Sequence, residues 1–209
     1  TRSGFKNRWS DSSCCDFTTR LYKEKQKSPH SLKINKETSD LIKSLNLLDE
    51  NGFEKMSKYV ILLLNENKKY NLISKNSENA IWHRHVLDSL QIVKFVNFNQ
   101  QSILHDLGSG GGFPGICLAI YNKNPEFHVK LYEKSIVKSN FLNRVIKKLN
   151  LNAKVINRDV FKTKILKGYV VARGFRKIDK ILKFSRENCL EIEKFIILKG
   201  KNAQVDAQK

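Results

Sequence analysis

Five glycines crowd one short stretch of this chain. Across residues 103–115, ILHDLGSGGGFPG, an apolar pair leads to Asp106, and Gly108, Gly110, Gly111 and Gly112 precede Phe113-Pro114-Gly115. Glycine accepts positive φ and lets backbone approach a ligand closely. Pro114 suits the first turn of a helix, where its missing N–H costs nothing. The apolar run 116–120 follows. The pattern predicts strand, glycine turn, helix, with the free N–H groups of a helix N-terminus at the turn. A dinucleotide fingerprint needs Gly where Phe113 stands, and a P-loop needs Gly-Lys-Ser/Thr, which this stretch does not contain. On this stretch alone a purely structural turn stays open.

A second feature narrows the ligand. Val129-Lys130-Leu131-Tyr132-Glu133 reads as a strand ending in a carboxylate, and Glu133 lies 25 residues after Gly108. An acid about 20 residues past such a turn can accept hydrogen bonds from ribose hydroxyls. The alternative is an ordinary surface glutamate. Together the two features favour an adenosine-containing cofactor at the turn of Asp106, Gly108, Gly110 and Gly112, with Glu133 opposite. Gly-x-Gly-x-Gly after an acidic strand end resembles motif I of class I methyltransferases, which bind S-adenosylmethionine.

His85, Asp88 and Ser89 fall at i, i+3 and i+4 of one helix, which brings their side chains together. A serine nucleophile normally sits on a sharp turn with an oxyanion hole, so hydrolysis is disfavoured. These residues read instead as a hydrogen-bond cluster packed on the cofactor loop. His83 and His85 are too few for a metal site, and no metal is expected. Cys14, Cys15, Cys117 and Cys189 show no Cys-x-x-Cys spacing, so reduced thiols in a cytoplasm are the plain expectation.

These residues need a frame. Leu41, Ile42, Leu45 and Leu48 predict a helix that Asn51-Gly52 ends, and Phe53, Met56, Tyr59, Val60, Leu63 and Leu64 predict a second. Residues 65–74 read as a polar turn anchored by Tyr70 and Leu72, and 79–98 as a third helix. After the glycine turn, strands at 129–133, 153–156, 169–172 and 195–198 alternate with helices at 136–149 and 178–189. Such alternation implies α/β class: a doubly wound, mostly parallel Rossmann-like sheet behind an N-terminal helical extension. Ligands of such a sheet bind at the strand C-termini. The expected division is 1–31, disordered or foreign; 32–100, helical; and 101–209, the cofactor-binding α/β domain, which the resemblance to class I methyltransferases implies is truncated before a C-terminal hairpin.

The 209 residues include 39 Lys and Arg against 20 Asp and Glu, a net charge of +19. That excess points to a polyanionic partner, although a lysine-rich composition bias is the bland alternative. No apolar run approaches the roughly 20 residues of a membrane span, and no membrane association is expected.

Further segments make the resemblance specific. Tyr70-Asn71-Leu72-Ile73-Ser74, then Arg84-His85-Val86-Leu87-Asp88-Ser89, flank the turn on one side. Val171-Ala172-Arg173-Gly174-Phe175 and Leu198-Lys199-Gly200 flank it on the other. With DLGSGGGFPG between them, residues 32–200 resemble the bacterial small-subunit ribosomal RNA methyltransferase G family (glucose-inhibited division protein B). The resemblance implies methyl transfer from S-adenosylmethionine to N7 of guanosine 527 in 16S rRNA, in the cytoplasm, by a monomer acting on the RNA or the small subunit.

By resemblance Gly108 and Phe113 belong to the cofactor loop and Glu133 meets the ribose. Asp159 and Val160 lie near the adenine, and Arg173 lies beside cofactor and substrate. Arg173 and Lys199 are the candidate catalytic pair, and Lys138, Arg158, Lys199 and Arg84 the candidate RNA contacts. Val160 stands where the family usually has Glu, Gly174 where it has Ala, and only Lys138 of Val137-Lys138 is basic. The competing class is a non-catalytic RNA-binding relic of the fold. A nicotinamide oxidoreductase is disfavoured by Phe113.

Overall fold

In a computed structural model, described over residues 34–174 and 177–199, the chain forms a five-stranded, all-parallel sheet in the order β3-β2-β1-β4-β5. The strands are β1 (Ser102–Leu107), β2 (Phe127–Tyr132), β3 (Ala153–Ile156), β4 (Gly168–Arg173) and β5 (Ile192–Leu198). The helices are α1 (Lys36–Ser44), α2 (Glu50–Asn67), α3 (Lys75–Glu78), α4 (Asp88–Leu90), α5 (Gly115–Tyr121), α6 (Ile136–Leu149) and α7 (Ile178–Asn188). The expectations for residues 1–31 and for a missing hairpin past Gly200 lie outside the described residues.

Strand β4 shows why helices cover both faces. Its side chains alternate with a period of two. Tyr169 and Val171 enter one core with residues of β1, β2, α1, α2, α5 and α6. Val170 and Ala172 enter the other with Ile181 and Phe184 of α7. The N-terminal helices thus share a core with the sheet rather than forming one of their own.

Gly168 is where β4 enters the sheet. Its φ is +104°, and a Cβ there would stand 2.1 Å from the Ile103 carbonyl oxygen of β1. Positive φ costs an L-residue about 1–2 kcal/mol, and the clash is with backbone, which cannot swing aside. Gly168→Ala is therefore expected to cost about 3 kcal/mol or more in urea unfolding. A loss below about 1 kcal/mol would show that β1 and β4 do not approach this closely.

Three local expectations are corrected. Asn51-Gly52 does not end a helix: Gly52 lies in the first turn of α2, and its N–H donates to the N-cap Asp49 carboxylate at 2.8 Å. A Cβ at Gly52 would stand 2.9 Å from that same oxygen, so glycine here closes a cap. The preceding break falls at 45–48. In α1 only Thr38 and Ile42 are buried, while Leu41 and Leu45 face solvent. Tyr70 is exposed, and Leu72 together with Ile73 anchors its turn.

The third helix is not uniform. After α3 come a π-helical stretch, Trp82–Leu87, then α4 and a 3₁₀ turn, Gln91–Phe95. The π stretch widens the turn that carries Arg84 and His85, and such insertions concentrate at functional sites.

Candidate functional site

The glycine turn is held from three sides. Beneath it, Asp106 Oδ2 accepts the Gly115 N–H at 3.1 Å, and the Asp106 carbonyl accepts the Ser109 hydroxyl at 3.1 Å. From α2, the Tyr59 hydroxyl donates to the Gly111 carbonyl at 2.7 Å. From β2, the Tyr132 carbonyl accepts the N–H groups of Gly108 and Ser109. Gly108, Gly110 and Gly112 all have positive φ, which this path requires.

Two of these glycines do different things. A Cβ on Gly110 would meet nothing nearer than the Gly108 carbonyl at 3.8 Å, so the space above it is open. A Cβ on Gly112 would strike Ile116 at 2.7 Å and the Tyr59 hydroxyl at 2.8 Å. Gly110 faces the ligand side, and Gly112 is packed against the protein.

Above the turn lies a cavity of about 370 Å³ at the C-terminal edge of the sheet, within the ordinary range for small-molecule sites. It opens where the strand order reverses between β1 and β4, the usual ligand crevice of such sheets. Glu133 bridges two of its walls. Oε2 accepts the Gly110 N–H at 2.9 Å and Oε1 the Ser135 N–H at 2.8 Å, and each oxygen keeps acceptor capacity. Ser135 in turn caps α6.

Arg173, at the end of β4, is the most constrained charge in the cavity. Its Nη2 donates to His85 Nδ1 at 2.7 Å, and its Nη1 to the Arg84 carbonyl at 3.2 Å and Asp88 Oδ2 at 3.4 Å. The guanidinium also lies over the Phe113 ring, 5.0 Å from its centre. The His85 ring packs against Phe113 itself, with ring centres 4.9 Å apart. Ser89 Oγ donates to the His85 carbonyl at 2.6 Å, so it is no partner of the imidazole. The three residues are a packing cluster on the cofactor loop, and a hydrolase triad is not formed.

The structure brings Gly108, Gly110, Phe113, Glu133, Lys138, Arg158, Asp159, Val160 and Arg173 to the cavity wall. Asp106 and Gly112 lie beneath the turn instead. Arg84 reaches the cluster through its carbonyl, and Lys199 follows the end of β5. Asp159 Oδ1 accepts the Phe161 N–H at 3.1 Å and starts a short 3₁₀ turn. Val160 is buried within the α7-side core.

Other contributors were missed from sequence. Leu72 and Ile73 line the cavity because buried Asn67 accepts both their N–H groups, at 2.7 and 2.9 Å. Tyr132 and Lys134 line it simply because they flank Glu133. An asparagine that fixes a turn five residues on gives no periodic signal. Among the described residues no helix is long and apolar enough to cross a membrane and no group of three metal-ligating side chains occurs. Among the described residues Cys117 and Cys189 form no disulfide.

Burial holds two imidazoles neutral. His85 is lowered to about 4 by burial and by the Arg173 and Arg84 charges; His105 is lowered to about 4 chiefly by burial. His105 Nε2 lies 3.0 Å from the Lys167 carbonyl and Nδ1 3.0 Å from the Tyr132 hydroxyl. On acidification from pH 6.5 the unfolded chain takes up these protons first, so stability falls until the folded imidazoles charge near pH 4. Asp106 runs the other way: burial raises it to about 6, so the stability that its protonated form gives at low pH is lost as pH rises through 6. Two imidazoles outweigh one carboxyl, and the melting temperature is expected to drop between pH 6.5 and 4. His105→Gln should make that drop shallower; an unchanged slope would show that His105 is not buried neutral.

A donor with an adenosine group fits these residues. Gly110 leaves room that any side chain would fill, Glu133 offers pre-oriented acceptors, and Val160 supplies an apolar wall. A doubly wound parallel sheet with a glycine turn after β1 and an acid after β2 is the arrangement of class I methyltransferases. A family model described as rRNA small subunit methyltransferase G matches residues 52–209. A ribosomal RNA small subunit methyltransferase G of Pelagibacter ubique is 38% identical over 169 residues, covering 78% of each chain. One from Rickettsia felis is 37% identical over 149 residues, covering 71% of this chain and 75% of its own. Among solved structures, an O-methyltransferase of a Brevibacillus brevis multienzyme has a TM-score of 0.43 at 19% identity, covering 66% of this chain and 47% of its own. The chain belongs to the rRNA small subunit methyltransferase G family.

Proposed function

We propose that this chain transfers a methyl group from S-adenosylmethionine to N7 of guanosine 527 in 16S rRNA, acting as a monomer in the cytoplasm. The observation that carries the proposal is the Gly110–Glu133 bond, which ties the glycine turn to the acid across the same cavity that Arg173 enters. S-adenosylmethionine, when bound, supplies an electrophilic methyl on a sulfonium.

Guanine N7 has a lone pair and no proton, so its attack needs no general base. The side chains available suit that. His85 Nδ1 is occupied by Arg173, and both Glu133 oxygens hold backbone N–H groups. What remains is orientation and exclusion of water, worth several orders of magnitude when the reacting atoms are held in line. Glu133, Asp159 and Val160 hold the adenosine end, Asp106 and Gly112 support the turn from below, and Arg173 and Lys199 flank the reacting groups.

N7 faces the major groove, which in A-form RNA is too deep for side chains to read. The target base must therefore sit in an irregular loop or be flipped into the cavity. Lys138 and Arg158 at the cavity, with Arg84 and Lys199 beside it, are assigned to RNA phosphates, consistent with the charge of +19.

Calorimetric titration with S-adenosylhomocysteine, alongside NAD, tests the donor site. Saturable binding of the first alone is expected. Binding of NAD alone, or of neither by a folded sample, would contradict it, the latter in favour of an RNA-binding relic.

A further inference from the structure

Arginine can only donate, so the 2.7 Å contact between Arg173 Nη2 and His85 Nδ1 fixes the imidazole. Nδ1 must carry the lone pair, and the ring proton must sit on Nε2. That nitrogen is buried and has no partner among the described residues. Leaving a buried donor unpaired costs about 1–3 kcal/mol. The Nδ1 contact and the Phe113 face hold the ring in this orientation.

On the other side of the contact, the Arg84 carbonyl, Asp88 and His85 take three of the five N–H groups of Arg173. Among the described residues the Nε–H and one Nη2–H have no acceptor and are available to a ligand. All three anchors come from the π-helical stretch and the residue after it. The stretch therefore acts as a bracket that aims the guanidinium.

We propose that His85 is a positioning residue for methyl transfer, acting as the Nε2–H tautomer whose Nδ1 fixes the orientation of Arg173 in the cavity. This rests on the methyl-transfer function proposed above. Charges near the ring are Arg173, Arg84 and Asp88, and burial with the two arginines keeps it neutral at pH 7.

Two replacements separate positioning from packing. The Oδ1 of Asn falls where Nδ1 stands, and the amide of Gln falls where Nε2 stands. In the full 209-residue chain, His85→Gln is expected to lower the methyl-transfer kcat on unmethylated small subunits about 100-fold, and His85→Asn to recover most of that loss. The loss should fall on kcat more than on the S-adenosylhomocysteine dissociation constant. Nitrogen-15 NMR of the ligand-free wild type should show the Nε2–H form, and Arg173→Met should mix the tautomers. Equal rates for the Asn and Gln variants would overturn the proposal. So would an Nδ1–H wild type, or a tautomer indifferent to Arg173→Met. Should the wild type not methylate rRNA at all, the function fails instead, and the NMR result alone decides the role of His85. The same spectrum decides it if the Gln variant does not fold.

Discussion

Arg173→Ala is expected to lower methyl transfer to rRNA about 100- to 1,000-fold while changing S-adenosylhomocysteine affinity by less than about tenfold. The side chain closes the cavity between β4 and the π-helical stretch and is fixed there by three hydrogen bonds and by the Phe113 face. Its removal leaves His85 Nδ1 and Asp88 without their donor and frees the stretch to shift. A displacement of about 1 Å at a reacting centre is enough for a loss of that order. Arg173→Lys should not restore the rate, because a point-charge ammonium cannot serve three acceptors in the plane of a guanidinium fork. Single-turnover transfer measures this directly. Rates within threefold of wild type would remove Arg173 from the reacting centre.

The second large effect separates two glycines two residues apart. Gly110→Val should weaken S-adenosylhomocysteine binding at least about 100-fold and cost stability only about 1–2 kcal/mol, the strain of a φ of +57°. Its new side chain enters open space that the ligand needs. Gly112→Val should do the reverse. It drives a branched side chain into Ile116, Leu142 and the Tyr59 hydroxyl at a φ of +109°, and about 3 kcal/mol or more of stability should go with it. Calorimetric binding and urea unfolding of both variants distinguish the two outcomes. Similar profiles for the two would mean that the turn does not face the ligand as described.

The glycine spacing and the strand-helix alternation made the sheet and the turn legible in the sequence. Helix α6 matches the sequence boundaries because Ser135 caps it and Asn150 ends it in a left-handed conformation. Glu133 could be placed at the cavity because it follows directly on a strand end. Periodicity misled where glycine served a cap, at Gly52, and where α1 met the core by one narrow stripe. It was blind to tertiary hydrogen bonds: Tyr59 to Gly111 spans 52 residues of sequence and Arg173 to His85 spans 88. Asp106 and Gly112 show the same limit. Their positions in the motif are local facts, but that they lie under the turn depends on which side of the loop packs on α2 and α5.

The most direct test of methyl transfer to guanine N7 uses labelled S-adenosylmethionine and small ribosomal subunits lacking their guanine N7 methyl. After incubation with the full chain, the 16S rRNA is digested and its labelled nucleosides are identified. One labelled nucleoside, 7-methylguanosine, mapping to position 527 is the result predicted. Label on another base or another atom, or none from a sample that binds S-adenosylhomocysteine, would contradict it.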